Sequence, residues 1–565
     1  MKETLYLTDQ EAILNFDLTY PETEAALIKS PEFSMVLKQY ILYLEGYDTA
    51  MYEWAMRGQD LDEAVRSIRD FARQLLVFDA EEILSPYMNK REMALAFTEG
   101  FYDYWKNHER YSITTNRRKS AELSAFVQQN TNHNNLCLST FRHIEQALMG
   151  SVNKIYRQQP AGTNAALALY RNDDNPYITG KYEKLRKIMF ISSVMLRTPM
   201  ILHPKSNKRE WPFQPIDENP IDSFTGTRDD YFCFPAKVGE LLIFIYFHRD
   251  FMASGVANAN LFELATEAET DRKPDGILLF GNPDGRDVCS FHYDKENDIW
   301  VGSVTYSEKI SYFGYMKKTV LTLHNVAMMQ RGWLPIHGAF VDITLWDGKK
   351  KGICLMGDSG AGKSETIEAL KNLGDEKIKK IEVVFDDMGT FHIEDGKVVA
   401  QGSEIGAFVR LDDLDPGTPY RDMNRSIFFN PDQSNARVIT PAAPYKVVVS
   451  NHEVDLFAYA NNYGPETGLR RNTDIEQAKA VFIEGKRMAK GTTQETGIST
   501  TYFANPFGPQ QQQERCKEII DEIFAKLEET DVFVGEVFTH LGRDPEDRSS
   551  IVKGAEDLLA FIEEN

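Results

Sequence analysis

Gly352-Ile-Cys-Leu-Met-Gly-Asp-Ser-Gly-Ala-Gly-Lys-Ser364 is an apolar run followed by two glycines five apart and then Lys-Ser. Gly352 to Met356 reads as a short buried strand, and Lys363 to Leu373 reads as an amphipathic helix. Strand, glycine loop and helix together form the context in which such a loop cradles phosphate. Its backbone N–H groups turn inward as an anion nest, and the helix N-terminus adds partial positive charge. The loop supplies Gly357, Asp358, Ser359, Gly360, Ala361 and Gly362; Lys363 reaches the outer phosphates and Ser364 holds Mg²⁺.

Working outward from the loop, the next candidates lie on both sides. Downstream, Val383-Val-Phe-Asp-Asp-Met-Gly389 is an apolar strand ending in two carboxylates, Asp386 and Asp387. After a phosphate loop, one such carboxylate serves a metal and the other acts as base or orienter. Upstream are His337 and the run Tyr312-Phe-Gly-Tyr-Met-Lys317-Lys318. A partly buried lysine beside another cation loses its proton more easily and becomes available as a neutral ligand.

The order and spacing of Tyr312-x-Gly-x-Met-Lys-Lys318, His337, the phosphate loop and Asp386-Asp387 resemble phosphoenolpyruvate carboxykinase. The likeness extends over Asn435-Ala-Arg-Val-Ile-Thr-Pro441 and over Gly491 to Gly508, which is similar to that family's nucleotide-base loop. It implies that Lys318, His337 and Asp387 bind Mn²⁺, with Ser364 on Mg²⁺ and Thr492 and Thr493 near the nucleotide. It also implies that Lys317 and Arg437 stabilise the moving phosphoryl, that Asp386 assists, and that Tyr312 lies against the substrate. The implied reaction converts oxaloacetate to phosphoenolpyruvate and CO₂. The family's carboxylate-clamping arginine has its best counterpart in Arg228, within Phe224-Thr-Gly-Thr-Arg228. Gly491 to Gly497 lacks the arginine of ATP-using relatives, which leaves ATP, GTP and pyrophosphate open as phosphoryl donors.

Gly-Asp-Ser-Gly-Ala-Gly-Lys-Ser-Glu-Thr366, with Asp358 and Glu365, also looks like HPr kinase/phosphorylase. That likeness implies transfer to a protein or small-molecule hydroxyl. A nucleotide-binding sensor without turnover is the non-catalytic alternative.

The expected architecture is mixed α/β. It has a mostly helical region over 1–200, a smaller α/β substrate-side domain over 201–330, and a carboxykinase-like phosphate-loop domain over 331–565. Core stripes are expected at Phe33 to Leu44, Leu75 to Asp79 and Phe97 to Trp105, with loops at Asn130 to Asn135 and Arg171 to Pro176 and a strand at Tyr445 to Ser450. The chain has 565 residues with 63 basic against 85 acidic, a net charge of −22, which disfavours nonspecific binding to nucleic acid or anionic membranes. Five scattered cysteines and no long apolar run predict a reduced, cytoplasmic protein with small-molecule substrates, and the helical region is a candidate surface for a protein partner.

Overall fold

A computed structural model describes residues 4–8, 11–16, 18, 20–113, 121–150, 155–156, 164–286, 288–358, 360–374, 376–411, 424–489, 497–544 and 548–564. Its contacts divide the chain into Met1–Tyr156 and Arg157–Asn565. Both units mix helices with sheet, as an α/β chain should. No described helix is long and apolar enough to cross a membrane.

The first unit is mainly helical. Pro31–Tyr47, Leu61–Leu75, Arg91–Asn107 and Ala121–Met149 pack around Leu37, Tyr40, Ile41, Trp54, Phe71 and Phe97. A three-stranded sheet flanks them. Two expectations need correction here. The asparagine run 130–135 is not a loop, because it lies inside the helix Ala121–Met149. Residues 133, 137, 140, 144 and 148 recur at helical spacing, and burial along that stripe outweighs the turn preference of asparagine. The apolar stretch at Leu75 is not all core, since Val77 is 74% and Phe78 52% exposed beyond the end of their helix.

Helical character also stops short of residue 200, because Ala165–Tyr170, Met189–Leu196 and Met200–Leu202 are strands of the second unit. There, one sheet runs in the order Met189–Leu196, Tyr231–Val238, Leu241–His248, Gly276–Asn282, Ile299–Thr305, Cys289–Asp294 and Phe213–Pro215. Its central strands pair in parallel and are almost wholly buried, so they read as continuous apolar runs rather than alternating ones.

A second sheet runs His452–Glu453, Lys397–Gly402, Met388–Glu394, Leu334–Leu345, Lys350–Met356, Leu456–Asn461, Phe533–Phe538 and Gly468–Arg471. Helices Lys363–Leu373 and Ser549–Glu564 bury Leu370, Leu558 and Ile562 against it. Helix Phe313–Gln330 contacts both sheets and is buried at nearly every position, including Lys317. Tyr445–Ser450 is not a strand: Tyr445–Val448 is a short helix that starts after Pro444, and its Val447 carbonyl accepts from His452 Nε2 at 2.7 Å.

Candidate active site

The strand Leu334–Leu345 organises the site. Its outer half pairs with Ile378–Phe385 and its inner half with Met388–Glu394, both antiparallel. Asp386 and Asp387 are the two residues between those partners, an interruption of the ladder opposite Gly338 and Ala339. Gly338 N–H donates to Asp387 O at 3.1 Å, and Gly357 N–H donates to His337 O at 3.1 Å. One strand therefore sets the histidine, the carboxylate pair and the start of the phosphate loop side by side.

Within the loop, Gly362 has φ +98° and sits against Thr539, where a Cβ would meet side-chain atoms at 2.7 Å. Only glycine takes this backbone at such close approach without strain. Lys363 Nζ donates to the carbonyls of Gly357 (2.7 Å) and Asp358 (3.2 Å), and Ser364 Oγ donates to Asp386 Oδ1 at 3.1 Å. Asp358 is held by Arg487 Nε at 2.8 Å. Glu365 lies in the first turn of the following helix. Ser359, Thr492 and Thr493 fall outside the described residues.

Opposite the loop, Lys317 and Lys318 both reach Asp387 Oδ2, at 2.7 and 2.6 Å. Lys317 also pairs with Glu404 at 2.9 Å. The neighbours titrate in opposite directions. Burial lowers Lys318 to about 8, and the charge of Lys317 adds to that fall. Lys317 suffers the same burial but is raised by Asp387 and Glu404 together. Asp387 is held far below the usual carboxylate range, because the two lysines outweigh its burial. Burial raises Asp386 to about 6 and Glu404 to about 7, each against the pull of a nearby lysine.

His337 Nδ1 lies 2.7 Å from the carbonyl of Ala504, which can only accept, so Nδ1 carries a proton and Nε2 is the nitrogen turned toward the carboxylate pair. Nε2 is 3.2 Å from Asp387 Oδ1 but makes no aligned hydrogen bond. The orienting carbonyl belongs to a left-handed pair, Phe503 (φ +51°) and Ala504 (φ +44°), an uncommon conformation for side-chain-bearing residues that clusters at functional sites.

An imidazole nitrogen, a carboxylate and a lysine whose proton affinity burial lowers, so that a metal can displace its proton more easily, form a donor set suited to Mn²⁺, with the imidazole locked through its other nitrogen as metal-ligating histidines are. The orphaned, buried Nε2 fits that use.

Two aromatic rings marshal the remaining cations. Lys317 and Arg437 approach Phe408, at 5.5 and 5.7 Å from its centroid. Lys318 and Arg209 approach Phe507, at 4.4 and 4.9 Å. Arg437 donates to Asn435 Oδ1 at 2.9 Å, while its buried Nε has no partner among the described residues. Tyr312 is buried, with its ring folded over Gly314.

Arg228 is not part of this cluster; its side chain is 62% exposed and pairs with Asp229 at 3.6 Å. Arg209, which the sequence did not single out, is half-buried, and burial lowers its affinity for the proton. The hydroxyl of Tyr315 accepts from the N–H groups of Glu210 (2.7 Å) and Trp211 (3.2 Å), pinning the segment that carries it. Glu404, Phe408, Phe507 and Arg487 were missed as well. The only sequence signals were Asn505-Pro-Phe-Gly508, quoted for its likeness to a base loop, and the basic run ending at Trp211.

No family model and no curated protein matches the chain. Among solved structures, the HPr(Ser) kinase/phosphatase from Coxiella burnetii matches at 16% identity, over 25% of this chain and 78% of that one, with a TM-score of 0.14. A superposition that loose carries no argument about fold or activity.

Proposed function

We propose that this chain is a metal-dependent phosphoryl-transfer enzyme of the phosphoenolpyruvate-carboxykinase type, converting oxaloacetate and a phosphoryl donor to phosphoenolpyruvate and CO₂. The observation that carries the reading is the convergence of Lys318 and His337 on one carboxylate, Asp387, beside the phosphate loop. A kinase for hydroxyl groups needs the loop and an acid–base carboxylate; it does not need a lysine whose proton affinity burial has lowered to about 8.

In this reading, Lys318, His337 and Asp387 would hold Mn²⁺, and Ser364 with Asp386 would serve Mg²⁺. A bound divalent metal supplies Lewis-acid stabilisation of a developing enolate oxygen and of phosphoryl oxygens. Lys363 and the loop N–H groups bind the donor's phosphates. Lys317 and Arg437, converging on Phe408, hold positive charge where the phosphoryl crosses. Arg209 takes the substrate carboxylate, the role first assigned to Arg228, because it is half-buried beside Lys318 whereas Arg228 faces solvent. ATP, GTP and pyrophosphate are all candidate donors.

The test is to incubate purified protein with oxaloacetate, Mn²⁺, Mg²⁺ and each donor in turn, following phosphoenolpyruvate and CO₂. Product from none of the three overturns the proposal. One observation favours a second reading: Asp386, raised to about 6 by burial and 3.1 Å from Ser364, is poised as a base for an acceptor hydroxyl. Labelled γ-phosphate appearing on a hydroxyl acceptor, independent of oxaloacetate, would establish that alternative.

A further inference from the structure

The first unit contains a cavity unconnected with any residue of the phosphate-loop site. It has a volume of about 100 Å³, opens to solvent on one side, and has nearly all-apolar walls from Phe33, Phe101, Tyr102, Trp105 and Phe141. A dry apolar cavity of about 150 Å³ is enough to take a benzene ring. The space here suits one six-membered ring whose far edge reaches the opening.

His133 interrupts the apolar lining. It is 8% exposed, stands on the buried stripe of the helix Ala121–Met149, and its Nδ1 has no hydrogen-bond partner among the described residues. Its other nitrogen lies 3.7 Å from Cys137 Sγ. Burial holds the imidazole below its ordinary proton affinity and pushes the Cys137 thiol up to about 12, so both groups are neutral at physiological pH. A neutral imidazole facing a neutral thiol exists in either tautomer, with Nδ1 as donor or as acceptor. A buried polar atom without a partner carries a desolvation cost that a ligand group can remove.

We propose that this cavity binds a small uncharged aromatic alcohol, phenol being the simplest member, with the ring among the aromatic walls and the hydroxyl on His133 Nδ1. A hydroxyl both donates and accepts, so it satisfies either tautomer. A plain hydrocarbon leaves Nδ1 orphaned. A carboxylate would meet Glu32, which also lines the cavity; an ammonium would gain Glu32 as one partner but give up the rest of its hydration to nearly all-apolar walls, a cost that a single ion pair offsets only in part.

The experiment uses the full chain, titrated by calorimetry with phenol, toluene, benzoate and benzylamine, with Trp105 fluorescence as a second readout. Phenol should bind saturably, and neither ion should compete. In His133→Leu, which keeps the apolar volume and is checked for folding by its circular-dichroism melt, the phenol-to-toluene affinity ratio should fall about tenfold, the worth of one hydrogen bond. Independently of that variant, the spectrum of ¹⁵N-histidine-labelled wild-type chain should show one imidazole moved by phenol and unmoved by toluene. Absence of phenol binding, an affinity ratio unchanged by the substitution, a histidine spectrum indifferent to phenol, or tighter binding of either ion would each overturn the assignment.

Discussion

Asp387→Asn removes the one charge on which Lys317, Lys318 and His337 converge while keeping the side-chain shape. At 2.7 and 2.6 Å, and with an effective dielectric of about 20, each lysine gains ~6 kcal/mol of gross attraction from that carboxylate. Desolvation of the three groups offsets most of this, and breaking a buried pair typically leaves a net cost of ~3–5 kcal/mol. Lys317 keeps Glu404 at 2.9 Å, so the lower end, ~3 kcal/mol, is expected. Lys318 loses the carboxylate paired with it among the described residues, so its proton affinity falls below the wild-type value of about 8. Two assays read the result. Urea unfolding followed by the fluorescence of the second unit should show a lower midpoint at unchanged slope, and Mn²⁺ titration by electron paramagnetic resonance should show affinity reduced by more than the ~10–100-fold that loss of an outer-shell partner causes. A variant as stable as wild type that binds Mn²⁺ equally well would refute the idea that this carboxylate is the hub of the site.

Three further outcomes follow from the geometry. Arg209→Met should raise KM for an anionic substrate at least tenfold with little change in melting temperature, whereas Arg228→Ala should leave both kinetic constants unchanged; the reverse pattern would return the clamp to Arg228. Gly362→Ala places a side chain at φ +98° against Thr539 and should cost ~2 kcal/mol while abolishing nucleotide or pyrophosphate binding; calorimetry showing intact binding would contradict the loop conformation. His324 is buried in the helix between the two sheets, and burial lowers it to about 4 from its ordinary value of 6.5. As pH falls, the unfolded chain therefore takes the proton first. The stability held above pH 6.5 is lost progressively down to pH 4, by ~3 kcal/mol in all, and this component of the slope should vanish in His324→Leu when unfolding is measured across that range.

Much of the fold was legible locally. The strand–loop–helix at 352–373, the all-apolar strands near 241–247 and 276–280, and the helices around 320 and 515–526 depend on periodicity, glycine placement and unbroken hydrophobic runs, all of which act over a few residues. The asparagine run at 130–135 and the valine run at 447–449 misled because local propensity points one way and burial of a stripe, or an anchoring carbonyl, decides otherwise. Candidate chemistry was likewise visible in the residue types of the phosphate loop, the lysine pair, His337 and the aspartate pair.

Tertiary structure alone decided how those groups act on one another. The interrupted pairing along the interior strand Leu334–Leu345 brings Asp387 to His337, and the distance in sequence between those two residues does not reveal that juxtaposition. Adjacent lysines, identical as residues, are driven to opposite proton affinities because Lys317 has two carboxylates and Lys318 has one carboxylate and a cationic neighbour. Arg209 enters the site because the Tyr315 hydroxyl, on the helix that carries the lysine pair, pins its segment, whereas Arg228 faces solvent and pairs with its neighbour Asp229. Residue types set which chemistry is available; burial and register, which are properties of the folded chain, set the charge each group carries and what it faces.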